Sequence, residues 1–274
     1  MDFCRCLKLR GWNKVKYNTL RYEKIENMGV VTFSNPEKLN ALTAEFLDEY
    51  SSLLDIIEAD PKVHVVVLTG EGKAFIAGAD IELMSTMTPQ EAAANALQTT
   101  EIYRRMENMG KIFIAAINGY ALGGGSEMAM ACDLRIASKK AKLGFPEVSL
   151  GIFPGGGGTQ RLPRLIGMTK AKELVYTGRI ISADEAEQIG LLNAVVSPEK
   201  LMDRTVKLAD EIMKNSHSAV SLAKEAMNNG MQIDLNSAEL QAKNLYALCY
   251  TTKDQREGMN AFLEKRPAVF EGNK

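Results

Sequence analysis

The sequence predicts an α/β protein: a body in which buried strands alternate with helices, followed by a C-terminal part made of helices alone. Three observations predict it. Continuous β-branched or apolar runs, VHVVVLTG (63–70) and IFIAAING (112–119), have the pattern of strands covered on both faces. Amphipathic stretches opened by capping signals lie between such runs. After about residue 196 no strand run of comparable quality occurs, and 197–266 reads as wholly helical.

Taken in order, VVTFS (30–34) reads as a strand and TAEFLDEYSSLLDIIEAD (43–60) as an amphipathic helix. The strand 63–70 follows. Thr88-Pro89-Gln90-Glu91 combines a capping box with proline at the first helical position, and its helix runs to about Met109, where Gly110 ends it. The strand 112–119 leads into the turn Gly123-Gly124-Gly125 and a helix from Ser126 to about Ala131. Ser182-Ala-Asp-Glu185 is a second capping box, and Ser197-Pro198 starts a further helix. The predicted organisation is a basic N-terminal extension (1–18), an α/β core (19–196) and a helical region (197–274).

Composition narrows the function classes. The chain has 274 residues, 46% of them apolar and 24% charged, as in an ordinary globular protein. A net charge of −1 provides no general basic field for nucleic acid. The apolar runs are too short to span a bilayer. Four cysteines in a chain of this size do not form a disulfide framework, which fits a reducing, cytoplasmic setting. The two histidines, His64 and His217, are far apart and no CxxC pair occurs, so a zinc site lacks its usual ligands. The N-terminus MDFCRCLKLRGWNKVK is basic but has no apolar h-region, so it is no secretory signal. A short solvated extension is the preferred reading, with organellar import as the competing one.

Three segments carry chemistry. Glu127 follows the triple-glycine turn, where a helix N-terminus supplies unpaired N–H groups and favours an ionised carboxylate. Glu147 lies in FPEVSLGIFPGGGG (145–158), and IAGADI (76–81) is a small-residue turn that obstructs nothing. Two carboxylates that move protons, with two turns able to aim bare N–H groups at an oxygen, suit chemistry beside a carbonyl. A tight turn with a charge-stabilised helix start is the structural alternative for Glu127. Ser126 lacks the second glycine of G-x-S-x-G, which argues against a serine hydrolase, and Met128 breaks G-x-G-x-x-G.

IAGADI (76–81), NGYALGGGSEMAMACDLRIA (118–137), FPEVSLGIFPGGGGTQRLPRLIG (145–167) and EGMNAFLEKRPAVF (257–270) resemble the enoyl-CoA hydratase (crotonase) family. Asn35-Pro36 and Asn40-Ala41-Leu42 fit its first signature, and the matches run in order over roughly 20 to 272. The resemblance implies a spiral of ββα units with a helical C-terminal trimerisation region, commonly assembled as dimers of trimers, a homohexamer. It implies an oxyanion hole from the Ala79 and Gly124 N–H groups, with Glu127 and Glu147 as catalytic carboxylates. Coenzyme A would lie along Ala41 and Ala77, Gly78, Asp80 and Ile81, with Tyr246 and Lys265 as further contacts, often from another subunit. For Tyr246 a core position, and for Lys265 a solvated surface position, are the competing readings.

The implied reaction is hydration of a trans-2-enoyl-CoA, or the reverse. Coenzyme A is part of the substrate, and no metal or redox cofactor is expected. Two glutamates at the carboxylate positions favour water addition over isomerase or hydrolase chemistry on the same fold. A non-catalytic RNA-binding relative would need a basic helix, whereas 43–60 carries Glu45, Asp48, Glu49, Asp55, Glu58 and Asp60 and no Lys or Arg. The acyl tail would meet the stretch Glu82 to Met109 and the Ile152-Phe153 corner. There Met84, Met87, Leu97 and Phe153 are apolar enough for a fatty chain, although core packing is the alternative for each. Short straight-chain substrates such as crotonyl-CoA are the family's prevalent choice.

Overall fold

The computed structural model describes residues 17–270. The basic stretch before Tyr17, with Cys4 and Cys6, lies outside the described residues. Tyr17 packs against the core, and the Asn18 and Thr19 N–H groups donate to Glu49 at 2.7 and 2.9 Å.

The chain forms β1 (Leu20–Ile25), β2 (Met28–Phe33), α1 (Ala44–Ala59), β3 (Val65–Gly70), β4 (Ala74–Ala77), α2 (Ile81–Met84) and α3 (Pro89–Asn108). It continues with β5 (Ile112–Ile117), β6 (Tyr120–Leu122), α4 (Gly124–Ala131), β7 (Leu134–Ser138), β8 (Lys142–Gly144), α5 (Gly158–Ile166), α6 (Met168–Thr177) and β9 (Ile180–Ser182). Then come α7 (Ala183–Gln188), β10 (Ala194–Val196), α8 (Leu201–Met213), α9 (His217–Gly230), α10 (Leu235–Cys249) and α11 (Lys253–Leu263).

The strands divide between a six-stranded sheet, β1-β2-β3-β5-β7-β10, and a four-stranded sheet, β4-β6-β8-β9. Among the described residues only β1–β2 and β8–β9 pair antiparallel. Successive turns of chain place one strand in the large sheet, the next in the small sheet, then a helix or helical turn: β3-β4-α2, β5-β6-α4 and β7-β8 before a 3-10 turn. This is the expected spiral of ββα units.

The continuous apolar runs follow from this layering. Along β3, Val66 and Leu68 face the cluster between the sheets, while Val65 and Val67 face α8. With both faces buried, nothing in these strands favours a polar residue. On the inner side Phe33 meets Phe46 and Phe75 edge-on, at ring separations of 5.4 and 5.2 Å, which joins β2, α1 and β4. Thr88 and Glu91 form the expected reciprocal cap of α3. Ser182 caps α7 through the Glu185 N–H at 3.1 Å, but the Glu185 carboxylate turns to Arg179 instead of closing the box. Ser197-Pro198 begins a 3-10 turn that leads into α8.

The C-terminal part is helical, as expected. Buried Lys224 of α9 donates to the Met106 and Lys111 carbonyls, both at 2.8 Å, and pairs with Asp133 at 2.9 Å. It thereby pins α9 to the junction of α3 and β5. Beside it, His64 of the body stacks on His217 of α9 with ring centroids 4.1 Å apart. Farther out, Leu235, Phe262 and Leu263 are 72%, 82% and 78% exposed, so this region presents apolar surface. Among the described residues no helix is long and apolar enough to cross a membrane.

Burial, the neighbouring ring and Lys111 hold His217 down at about 4, with Asp254 opposing, while burial and Lys111 lower His64. Between about pH 6.5 and 4 the unfolded chain binds protons that the folded chain refuses. Stability is therefore full above that window and lost as pH falls through it. Thermal midpoints should drop on acidification from pH 6.5 to 4, and His217→Phe, which keeps a ring without a titrating nitrogen, should flatten that drop. An unchanged slope in the variant would remove this pair as the cause.

Candidate active site

The two carboxylates arrive from different elements and meet behind the glycine turn. Gly123 adopts φ 52 and ψ −121, a backbone that L side chains rarely take, and a Cβ there would lie 2.7 Å from Glu147 Oε1. Glycine is thus required twice over, for conformation and for room. α4 starts at Gly124, two residues earlier than the sequence predicts, and Glu127 remains in its first turn. Only about 3% of Glu127 is exposed. Its Oε1 accepts the Gly158 N–H at 2.7 Å, and the Gly156 N–H also donates to the carboxylate. A Cβ at Gly156 or Gly158 would come within 2.6 or 2.9 Å of those oxygens, so the run Gly155–Gly158 is a cradle for this side chain.

Glu147 stands in a 3-10 turn, Pro146–Leu150, closed by Gly151 at φ 80. Its Oε2 is buried and has no hydrogen-bond partner among the described residues. Burial, then the Glu127 charge, lifts its carboxyl to about 7. Burial raises Glu127 as well, and the Gly158 and Gly156 amides and Arg161 offset only part of that rise. Two similar side chains therefore differ in surroundings: one carboxyl is cradled by donors, and the other, with a bare oxygen, can hold a proton near neutrality.

The segment 77–81 lies beside the loop 39–42. Leu42 donates to the Gly78 carbonyl at 3.0 Å and accepts from Asp80 N–H at 3.3 Å, and Ala77 N–H donates to Leu39 O. In this parallel bridge Ala79 points its own N–H away from Leu42. Buried Asn40 anchors the loop through Nδ2 to the Ala74 carbonyl at 2.8 Å, which also fixes Ala41. Gly124 is the first residue of α4, so its N–H has no intrahelical acceptor. A Cβ at Gly124 would strike Leu42 Cδ1 at 2.5 Å, so the two turns are in contact.

Asp80 caps α2 through the Leu83 N–H, and Ile81 is 49% exposed. Ser126 is buried, donating to the Ala121 carbonyl at 2.6 Å and accepting from Gly144 N–H, which is structural work. Met84 and Met87 are half-buried, and Leu97 and Phe153 are exposed, so none of the four is core packing. Tyr246 is exposed on α10, where its hydroxyl meets that of Tyr250 at 2.9 Å, which excludes the core alternative. Lys265 is exposed just after α11 with φ 54. The structure joins Glu127, Glu147, Gly124 and the Ala79 turn; it shows no contact of Tyr246 or Lys265 with them among the described residues.

Several framing residues escape a reading of the sequence. Tyr103 donates from its hydroxyl to the Gly124 carbonyl at 2.8 Å. Arg161 pairs bidentately with Glu107 and donates to the Gly156 carbonyl at 3.0 Å. The glycine run 155–158 is visible as a run, but nothing local reveals which carboxylate it serves.

Comparison with known proteins identifies the family of the chain. The enoyl-CoA hydratase/isomerase family matches residues 23–273. The chain is 47% identical to a crotonyl-CoA hydratase of Syntrophomonas wolfei over 255 residues, 93% of this chain and 98% of the relative. It is 46% identical to a short-chain-enoyl-CoA hydratase of Clostridium acetobutylicum, covering 92% of this chain and 97% of that one. A crystal structure of enoyl-CoA hydratase from Bacillus anthracis superposes with a TM-score of 0.90 at 40% identity, covering 93% of this chain and 100% of the other.

Because the Glu127 charge helps hold the Glu147 carboxyl up, Glu127→Gln should let it fall below about 7 while burial keeps it above the ordinary 4.5. Carbon-13 NMR titration of glutamate carboxyls checks this. An unmoved Glu147 resonance would show that the two groups do not sense one another.

Proposed function

The chain belongs to the enoyl-CoA hydratase/isomerase family, and from that premise we propose that it adds water, reversibly and syn, across the double bond of trans-2-enoyl-CoA thioesters. The product is a 3-hydroxyacyl-CoA, as in fatty-acid or butanoate-type metabolism. Short straight acyl chains are the substrates best supported, because the relatives named above are a crotonyl-CoA and a short-chain-enoyl-CoA hydratase. The observation that carries the reading is the unequal pair: a cradled Glu127 beside a Glu147 whose carboxyl titrates near 7.

The thioester oxygen accepts hydrogen bonds from Ala79 N–H and Gly124 N–H. Ionised Glu127 takes a proton from water as the water oxygen bonds to C3. The π electrons of C2=C3 move toward the carbonyl, and the two amides hold the developing oxyanion, where loss of one donor typically costs about 10²–10³ in rate. Protonated Glu147 then delivers its proton to C2. One water has been added, and proton exchange with solvent returns both glutamates to their starting forms. These steps draw on no metal or redox group.

Coenzyme A runs along Ala41 and Ala77 to Ile81, a half-buried edge that ends at exposed Ile81. Tyr246 lines a cavity of about 410 Å³ between α9, α10 and α11, and with Lys265 it would complete the coenzyme site of a neighbouring subunit. Assembly as a trimer or a dimer of trimers would cover Leu235, Phe262 and Leu263. A cytoplasmic setting fits the cysteine usage.

Glu127→Gln and Glu147→Gln should each lower crotonyl-CoA hydration by orders of magnitude with the circular dichroism spectrum unchanged; near-normal turnover in either variant would overturn its role. Since Glu147 must carry a proton, kcat/KM should decline as pH rises past about 7. A chain-length series of 2-enoyl-CoAs, followed by loss of the conjugated thioester absorbance, should favour four-carbon acyl groups. No turnover on any of them would transfer the site to double-bond isomerisation or thioester hydrolysis.

A further inference from the structure

Both halves of the site are held from one helix. Tyr103 and Glu107 are one turn apart on α3, on the same helix face. The Tyr103 hydroxyl reaches the Gly124 carbonyl, at the residue whose N–H serves the oxyanion. Glu107 grips Arg161 with two bonds of 2.6 and 2.7 Å. Arg161 donates to the Gly156 carbonyl, and its guanidinium carbon lies 5.7 Å from the centre of the Tyr103 ring. Gly156 belongs to the cradle of Glu127. The brace thus closes from α3 through α5 to the loop and back to the head of α4.

We propose that Tyr103, Glu107 and Arg161 are positioning residues: they set the distance between the Gly124 amide and the Glu127 carboxylate. The inference rests on the hydration reading above for its kinetic readout, but not for its structural one. The bidentate guanidinium–carboxylate pair is planar and stiff, which an ammonium cannot reproduce. Each member touches backbone or another member of the brace, so none is itself a catalytic residue.

The groups facing Glu127 are Arg161 from α5, Tyr103 from α3 and Glu147 from the 3-10 turn, with Glu107 behind Arg161. Arg161 opposes the burial that raises Glu127, so its removal makes Glu127 protonate at higher pH. As a base, Glu127 must be ionised, and the acid limb of kcat/KM must then move upward.

Three variants separate the parts. Arg161→Gln loses clamp and charge: kcat should fall about a hundredfold with KM little changed, since small misplacements cost that much, and the acid limb should shift to higher pH. Arg161→Lys keeps the charge and loses the clamp, so kcat falls while the limb stays. Tyr103→Phe removes one hydroxyl and should lower kcat about tenfold through misplacement of Gly124, with a melting temperature only a few degrees below that of the parent. Amide hydrogen exchange of substrate-free protein should quicken at Gly156 and Gly158 in both Arg161 variants. Parental kcat and an unmoved limb in Arg161→Gln, or unchanged exchange in the cradle, would overturn the proposal. Should Arg161→Gln fail to fold, Arg161→Lys and Tyr103→Phe decide it. A parent protein that hydrates no 2-enoyl-CoA refutes the hydration reading alone, and exchange in the cradle still tests the brace.

Discussion

A carboxylate buried against bare backbone is the constraint from which this site follows. Glu127 is removed from water, and peptide N–H groups, with no cation in direct contact among the described residues, offset part of the cost of burying its charge. Backbone can come that close only without Cβ atoms, which accounts for Gly156 and Gly158. Glu147 imposes the same demand on Gly123. The glycine runs are therefore the negative image of two side chains, and the strands beneath them need the rigidity of a doubly buried sheet to hold that image.

Much of this was legible in the chain. Long runs such as 63–70 and 112–119 declare strands because both of their faces are buried, and the Thr88 capping box declares α3 because its chemistry is local. The entire four-stranded sheet was not read from residue pattern. Its strands span three or four residues, too short for a period, and β6 and β8 lie within segments dominated by turn glycines. The spiral came only from resemblance to a family. At the site, Glu127 and Glu147 were visible as carboxylates beside turns, whereas their meeting is a tertiary fact. Tyr103 and Arg161 carry no local signal: a tyrosine in an amphipathic helix and an arginine after a glycine run look like ordinary packing and surface.

The same reasoning explains why Ser126 invites a false reading. A serine between a glycine turn and a glutamate resembles a nucleophile, but its hydroxyl is consumed by the Ala121 carbonyl and the Gly144 N–H. Its work is to lock β6 and β8 under the head of α4. A polar group that is fully satisfied and buried is a fastener, and only its partners reveal that.

The Lys224 ammonium has a consequence for how the molecule comes apart. Its partners are two main-chain carbonyls and Asp133, whose other tie is to the Phe113 amide at the start of a central strand. Peeling α9 away would strand an anion inside the body and expose carbonyls whose donor has left, a strongly unfavourable state for a buried pair. Partial undocking is thus disfavoured, which couples the opening of α9 to that of the α/β body. A chain shortened before α9 would lose this cation as well as a helix, and would leave the Met106 and Lys111 carbonyls without the donor they have here.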